Sequence, residues 1–216
     1  MKLLSVEQAR AMWLFPFPDI NPSGKYIVPV SVELIKRYKF ATVPNIPEAI
    51  KNNQGIIFGT GAFTHDKRGE IQVDLGIYND GFVGDTKTNT DSSEEFLHDI
   101  FTYLKSEFGL LYPNNIRKQY LSKIYVETKK SLNSLNPKLE RFTKSLTEKS
   151  YAFGSVAYEL SGINLSTEQR NAIAPPIFRF ERAEKSPFSS NRYYSFAGLK
   201  TSDHLELVEQ FLSILS

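Results

Sequence analysis

Residues 71–78 carry aliphatic side chains at every second position, and this alternation limits what the chain can fold into. The aliphatic residues are Ile71, Val73, Leu75 and Ile77. Because successive side chains of a β-strand point to opposite faces of its sheet, the pattern predicts a strand with one buried face. The next residues, Asn79-Asp80-Gly81, favour a tight hairpin because Asn, Asp and Gly tolerate positive φ. An antiparallel sheet is therefore predicted here.

One further strand is predicted on each side of that run. Residues 55–63 form a short apolar segment in which Gly59 and Gly61 favour a bend. A polar turn at residues 65–69 joins this segment to the alternating run, and Phe82 begins the strand that returns from the hairpin. Together the three segments predict a three-stranded antiparallel meander.

The residues after the meander have the spacing of an amphipathic helix. Large apolar side chains recur at three- and four-residue intervals over residues 96–108, which is the period of one helix face. Asp91 or Ser92 is the predicted amino-terminal cap, and Gly109 is the predicted stop. We expect this helix to cover the buried face of the meander.

The first 50 residues are predicted to form helices and connectors. Residues 3–15 favour an amphipathic helix capped by Ser5, and residues 30–40 favour a second, short helix. Three prolines make residues 15–22 an extended connector.

Three aromatic residues near this connector are candidates for binding a partner. They are Trp13, Phe15 and Phe17. One interpretation is that they pack over the core. The other is an exposed arm that docks on a partner, since proline lowers the entropy cost of ordering an extended segment.

The second half of the chain is predicted to repeat this order of elements. A strand over residues 117–127 and a helix over residues 137–148, capped by Asn136, precede three further strands. Those strands are predicted at residues 151–160, 177–182 and 193–199. A last amphipathic helix begins at Thr201 or Ser202.

These elements predict an α+β fold, mainly antiparallel sheet with helices packed on one face. The repeated order indicates either two similar strand-strand-strand-helix halves or chance use of a common layout, and the unequal spacings leave both open. A chain of 216 residues favours a single compact domain over residues 1–216, or two intimate halves at 1–112 and 113–216.

Composition excludes several kinds of site. There is no cysteine, so disulfide scaffolds, thiolate nucleophiles and cysteine-ligated metals are excluded. His65, His98 and His204 lack the spacing of paired zinc ligands. The glycines form no phosphate-binding loop. We therefore predict no catalytic residue, no metal and no cofactor.

The net charge of +2 is too balanced to indicate bulk binding of nucleic acid or of an anionic membrane. The sequence has no secretory segment and no apolar run long enough to cross a bilayer. We therefore expect a cytoplasmic protein without a membrane partner.

Carboxylates cluster around the predicted hairpin. They are Asp74, Asp80, Asp85 and Asp91. Two of them, Asp74 and Asp85, would suit a magnesium ion or an acid–base pair. Each also has a structural explanation, as a residue of the polar sheet face, the turn or the helix cap. A metal-dependent hydrolase or nuclease is one hypothesis from this cluster.

Aromatic and arginine side chains are interleaved over the last two predicted strands. The residues are Phe178, Arg179, Phe180, Arg182, Arg192, Tyr193, Tyr194 and Phe196. Protein interfaces are enriched in Tyr, Phe and Arg. Aromatic rings beside arginine also stack on the bases of single-stranded nucleic acid. Core packing with surface ion pairs is a third explanation for the same pattern.

The leading hypothesis is a non-catalytic protein–protein interaction or assembly subunit that is oligomeric, with itself or another protein as partner. It follows from the absence of a catalytic constellation, from the aromatic–arginine strands and from the proline-rich amino-terminal arm. The alternative is a nucleic-acid-binding module that uses the same strand surface. The metal-dependent hydrolase or nuclease is the second alternative.

Overall fold

The computed structural model describes residues 1–24, 27–52, 54–65, 69–135, 137–154, 156–168 and 176–215. The strands are β1 (Lys2–Leu14), β2 (Ile56–His65), β3 (Gly69–Tyr78), β4 (Gly81–Thr86), β5 (Arg117–Glu127), β6 (Gly162–Leu165), β7 (Phe178–Arg182) and β8 (Arg192–Ala197). The helices are α1 (Phe17–Ile20), α2 (Ile27–Tyr38), α3 (Ile46–Lys51), α4 (Thr90–Phe108), α5 (Pro137–Lys149) and α6 (Thr201–Ile214).

The strands form an antiparallel sheet with the order β2-β3-β4-β1-β5-β8-β7-β6, and the helices lie on one face of it. The predicted α+β fold class is therefore confirmed. We call the side that faces the helices the covered face and the other side the open face.

Residue contacts divide the chain into two units. The amino-terminal unit contains Glu7–Ser122 and Leu199–Thr201, and the carboxy-terminal unit contains Met1–Val6, Lys123–Gly198 and Ser202–Ser216. Strands β1 and β5 each contribute residues to both units. Each unit has its own cluster of buried apolar side chains.

The meander predicted for residues 55–86 is present as β2, β3 and β4. The bend predicted at Gly59 and Gly61 is a bulge, because the β2–β3 register shifts between Phe58 and Gly61. Thr60, at the centre of the bulge, has φ +56° and is held there by its N–H, which donates to Asp74 Oδ1 at 2.6 Å. Of the predicted polar turn, residues 66–68 lie outside the described residues.

Helix α4 is present as predicted and covers the meander. Gly109 ends it with φ +59°, a conformation that glycine adopts without steric cost. The cap is Asn89, whose side chain accepts from the Ser92 N–H at 2.8 Å, rather than Asp91 or Ser92. The apolar side chains of α4 are almost fully buried, each worth about 1.5–3 kcal/mol. They are Phe96, Leu97, Ile100, Phe101 and Leu104.

The helix predicted for residues 3–15 is wrong, because this segment is strand β1 and Ser5 lies within it. Ala9, Ala11 and Trp13 are buried while the residues between them are half-exposed, so the true period is two. The residues of this segment that favour helices are overridden by ladder pairing with β4. The predicted connector after β1 contains the short helix α1.

In the carboxy-terminal unit, the strand predicted for residues 151–160 is also wrong. Residues Tyr151–Phe153 form a short 3-10 turn, Gly154 follows with φ +81°, and Ser155 lies outside the described residues. The strand is β6, which begins at Gly162 instead of ending there. A Cβ on Gly162 would lie 2.6 Å from the Glu181 Cβ, so the β6–β7 pairing requires glycine.

The other predicted elements of the second half agree with the structure. Strands β5, β7 and β8 and helices α5 and α6 lie at the predicted places. Asn136, the predicted cap of α5, lies outside the described residues.

A candidate protein interface on the open sheet face

Alternation along β7 and β8 divides the predicted aromatic–arginine tract between the two sheet faces. Phe180 and Tyr193 lie on the covered face and are fully buried. Arg179 pairs in register with Phe196, and the guanidinium of Arg192 is half-exposed. The structure therefore brings only part of the tract to the open face.

The open-face members of the tract join residues of β5. The Tyr125 and Tyr194 ring centroids are 5.4 Å apart, and Arg192 Nε donates to Glu127 Oε2 at 2.9 Å. On β7, Arg179 Nη1 is 3.8 Å from Glu181 Oε1. We call this surface the aromatic–arginine face; its residues are Tyr125, Glu127, Arg179, Glu181, Arg192, Tyr194 and Phe196.

Phe196 belongs to the predicted tract, whereas Tyr125 was not among the predicted site residues. The signal for Tyr125 is present in the sequence, because Ile124 and Val126 on either side of it are fully buried and period two then places Tyr125 on the opposite face. The same rule applied from the buried Ala197 assigns Phe196 to the open face.

The covered-face members of the tract have structural roles. Phe180 stacks on Tyr193, with ring centroids 4.7 Å apart, and the Tyr193 hydroxyl accepts from the Leu132 N–H at 3.2 Å. Phe178 packs against the same core. Phe180 and Tyr193 are fully buried in the interior, and Phe178 is partly buried against it.

The Arg182 side chain is only 7% exposed, and its contacts are with other parts of the protein. Its guanidinium forms an ion pair with Glu159 and donates to the Phe188 carbonyl oxygen at 3.0 Å. It also lies 4.7 Å from the Phe188 ring centroid, a cation–π distance. Arg182 thus holds the irregular segment around Glu159 against the loop that contains Phe188.

His204 is fully buried behind the aromatic–arginine face. Its Nε2 lies 2.8 Å from Ser195 Oγ, which itself donates to the Arg179 carbonyl oxygen at 2.9 Å. The Nε2–H therefore donates to Ser195, and Nδ1 is a buried nitrogen with no hydrogen-bond partner among the described residues. Burial lowers the pKa of His204 to about 4, so the ring is neutral at pH 7.

The aromatic residues predicted as a partner arm are packed in the amino-terminal unit. Trp13 and Phe15 are buried, and Trp13 stacks on Phe101 with ring centroids 5.4 Å apart. Phe17 is partly buried and stacks on Phe82. Strand β1 continues almost to Phe15, so these side chains are fixed to the core and not carried on an extended arm.

The two carboxylates proposed to bind a metal, Asp74 and Asp85, both accept hydrogen bonds from other groups of the protein. Asp74 and Asp85 are paired in register, but Arg10 donates to both carboxylate oxygens of Asp85 at 2.8 Å. Asp74 accepts from the Thr60 N–H. Among the described residues, no three His, Cys, Asp or Glu side chains converge in a way that could hold a metal ion. This arrangement does not support the hydrolase or nuclease hypothesis.

A separate ion-pair network lies at the start of α4, in the amino-terminal unit. Glu94 accepts from Lys118 Nζ at 2.8 Å and from Lys200 Nζ at 2.9 Å. Partial burial acts to raise the pKa of Glu94, but hydrogen bonds from Lys118, Lys200 and Tyr120 outweigh it and lower that pKa. Desolvation and the bond to Glu94 raise the pKa of Tyr120 to about 12. At neutral pH, Glu94, Lys118 and Lys200 are therefore charged, and Glu94 is hydrogen-bonded to both lysines.

These features define an α+β protein with an antiparallel sheet, helices on one face and an aromatic–arginine surface on the other. No described helix is long and apolar enough to span a membrane.

No protein-family model matches the chain. No curated protein matches it either. Among solved structures, Methanococcus jannaschii TBP is similar, with 14% sequence identity, a TM-score of 0.46, and coverage of 99% of this chain and 97% of that chain. An identity this low does not indicate a shared function.

Proposed function

We propose that this protein is a non-catalytic interaction protein that associates with a second copy of itself through the aromatic–arginine face. The observation that carries the proposal is the grouping of three half-buried aromatic side chains with two Arg–Glu pairs on the face opposite the helices. The aromatic residues are Tyr125, Tyr194 and Phe196. Buried aromatic anchors with arginines around them are typical of the energetic centre of a protein interface.

The charge pattern favours a second copy as the partner. In a two-fold dimer the same patch meets itself, so a patch of a single sign would repel its own copy. This face carries both signs, because Arg192 lies beside Glu127 and Arg179 beside Glu181. Such a patch is able to complement itself.

Sedimentation equilibrium over a wide range of protein concentration tests the proposal. Tyr194→Ala should weaken self-association by about 1–3 kcal/mol, or roughly fivefold to 150-fold. Tyr151→Ala is the matched control, because Tyr151 is 82% exposed in the same unit but lies outside the sheet. A wild-type protein that stays monomeric at the highest concentration contradicts the proposal.

A charge-reversal pair makes the test specific to this face. Arg192→Glu gives the patch an excess of negative charge, and Glu127→Arg gives it an excess of positive charge. Each variant alone should repel its own copy, whereas an equimolar mixture should restore association because the two patches attract each other. A mixture that remains monomeric, while wild type associates, places self-association elsewhere on the protein.

Single-stranded nucleic acid is the second candidate partner. It is favoured by the Tyr125–Tyr194 ring pair, which lies beside Arg192 and near the half-exposed Lys123 on β5. It ranks second because Glu127 and Glu181 would repel phosphates at both arginines. Fluorescence anisotropy with single-stranded RNA and DNA at two salt concentrations tests it. About three phosphate contacts predict a slope of roughly −2 in log affinity against log salt.

A further inference from the structure

The amino-terminal unit contains a small cavity that the proposed function does not use. Its volume is about 130 Å³, and four isoleucines from different elements line it. Ile27 comes from α2, Ile50 from α3, Ile56 from β2 and Ile77 from β3.

The cavity has a buried floor and an exposed rim. Ile56 and Ile77 pair in register on the covered face and are at most 5% exposed, whereas Ile50 is 46% exposed. The Tyr78 ring lies on the open face, where it packs against Gly55 and Gly76: a Cβ on these glycines would be 2.2 Å and 2.7 Å from the ring. The rim of the cavity on the covered face is therefore Ile50, and not the Tyr78 ring.

The lining sets the chemistry of an occupant. None of the described residues that line the cavity is charged, so a charged group would lose its hydration without a partner. The volume corresponds to roughly four waters, and an apolar cavity of about 150 Å³ is known to accept benzene. An uncharged aliphatic or aryl group of that size therefore fits.

The mouth of the cavity favours a peptide as the carrier of this group. The exposed Gln54 lines it, and a primary amide offers both donors and an acceptor, as a peptide backbone requires. We infer that this cavity is the anchor site for one leucine-sized side chain of a partner polypeptide. Burial of that side chain, with Gln54 bonded to the neighbouring peptide group, supplies the recognition.

Methyl NMR of isoleucine-labelled protein tests this inference. The probes are N-acetyl-leucine methylamide, its alanine analogue and benzene. The leucine probe should shift the methyl signals of Ile27, Ile50, Ile56 and Ile77 and should bind about tenfold or more tightly than the alanine probe. The methyl signal of Ile124, buried in the other unit, should not move.

Two isoleucine substitutions distinguish binding in the cavity from binding elsewhere on the surface. Ile50→Phe fills the mouth and should abolish the shifts at the remaining three isoleucines, with a melting temperature close to that of wild type. Ile57→Phe is the control, because Ile57 is 55% exposed beside Ile56 but does not line the cavity, and it should leave binding unchanged. Equal shifts with the leucine and alanine probes, or shifts with benzene alone, would overturn the assignment to a peptide side chain.

Discussion

The two units have the same order of elements but use the polar groups of their sheets differently. In each, a strand and helical segments precede three antiparallel strands and a closing helix. On the open face of the amino-terminal unit, Asp85 accepts two hydrogen bonds from Arg10 and one from Gln8. On the carboxy-terminal unit, Arg179 and Arg192 each contact one glutamate and remain about half exposed. The charged groups of the first face are paired with each other within the protein, whereas the arginines of the second face remain accessible to a partner.

The open face of the amino-terminal unit also contains a row of residues without a charge. Met12, Val83, Gly76 and Ile57 are neighbours in register across four strands. This row has no aromatic pair and no accessible arginine like those of the carboxy-terminal unit. The contrast supports placing the self-association surface on the carboxy-terminal unit.

The largest expected effect comes from the buried aromatic side chains that sequence reasoning assigned to partners. Trp13→Ala in one unit and Phe180→Ala in the other should each lower the free energy of unfolding by about 3–5 kcal/mol. Both side chains are at most 1% exposed. Urea denaturation followed by circular dichroism measures the change. Tyr151→Ala is the exposed control and should shift stability by less than about 0.5 kcal/mol.

If the Trp13 variant lost partner binding but kept its stability, Trp13 would be an interface residue, as the sequence analysis suggested. If the two units unfold in separate transitions, each variant should move only the transition of its own unit.

The second prediction concerns the two buried histidines, His65 and His204, which lie in different units and have different surroundings. His65 has a carboxylate partner, Glu95, at 2.9 Å, whereas burial alone lowers the pKa of His204 from 6.5 to about 4. Between those pH values the unfolded chain binds a proton at His204 and the folded chain does not. Stability is therefore full above pH 6.5 and falls as pH drops, by about 3 kcal/mol near pH 4.

Urea denaturation of wild type and His204→Leu at pH 7 and near pH 4.5 measures this effect. The His204→Leu variant should lose most of the pH-dependent decrease, while His98→Gln, on the polar side of α4, should keep it. A decrease of equal size in His204→Leu and wild type would show that other groups cause it.

Sequence patterns predicted those elements in which one period is unambiguous. The alternation at residues 71–78 and the helical spacing after Asp91 are examples, and both are present. Residues 3–15 satisfy both periods, so only the pairing of β1 with β4 decides between them. The candidate site was predicted in part for the same reason. The arginines and Tyr194 were named, but their assignment to a face required the register that a sequence alone does not provide.

The third prediction tests whether the charges of the amino-terminal open face are used internally. Asp85→Ala removes the partner of Arg10, whose side chain is 35% exposed, and should destabilise the protein by about 1–2 kcal/mol after allowance for solvent screening. The double variant Arg10→Met with Asp85→Leu should recover most of that loss, because no unpaired charge remains. Thermal unfolding distinguishes the two. Equal destabilisation in both variants would mean that backbone geometry, and not charge pairing, matters at this position.

The smallest expected effect concerns the β2 bulge of the amino-terminal unit. Thr60 occupies the left-handed region at φ +56°, which costs a β-carbon residue about 1 kcal/mol and glycine almost nothing. Thr60→Gly should therefore stabilise the protein slightly, by up to about 0.6 kcal/mol, because the relief of strain is offset in part by the added flexibility of the unfolded chain. Thr64→Gly in the same strand is the matched control and should destabilise, because Thr64 is not among the residues with positive φ. Destabilisation by both substitutions would mean that the Thr60 side chain, and not its backbone conformation, holds the bulge.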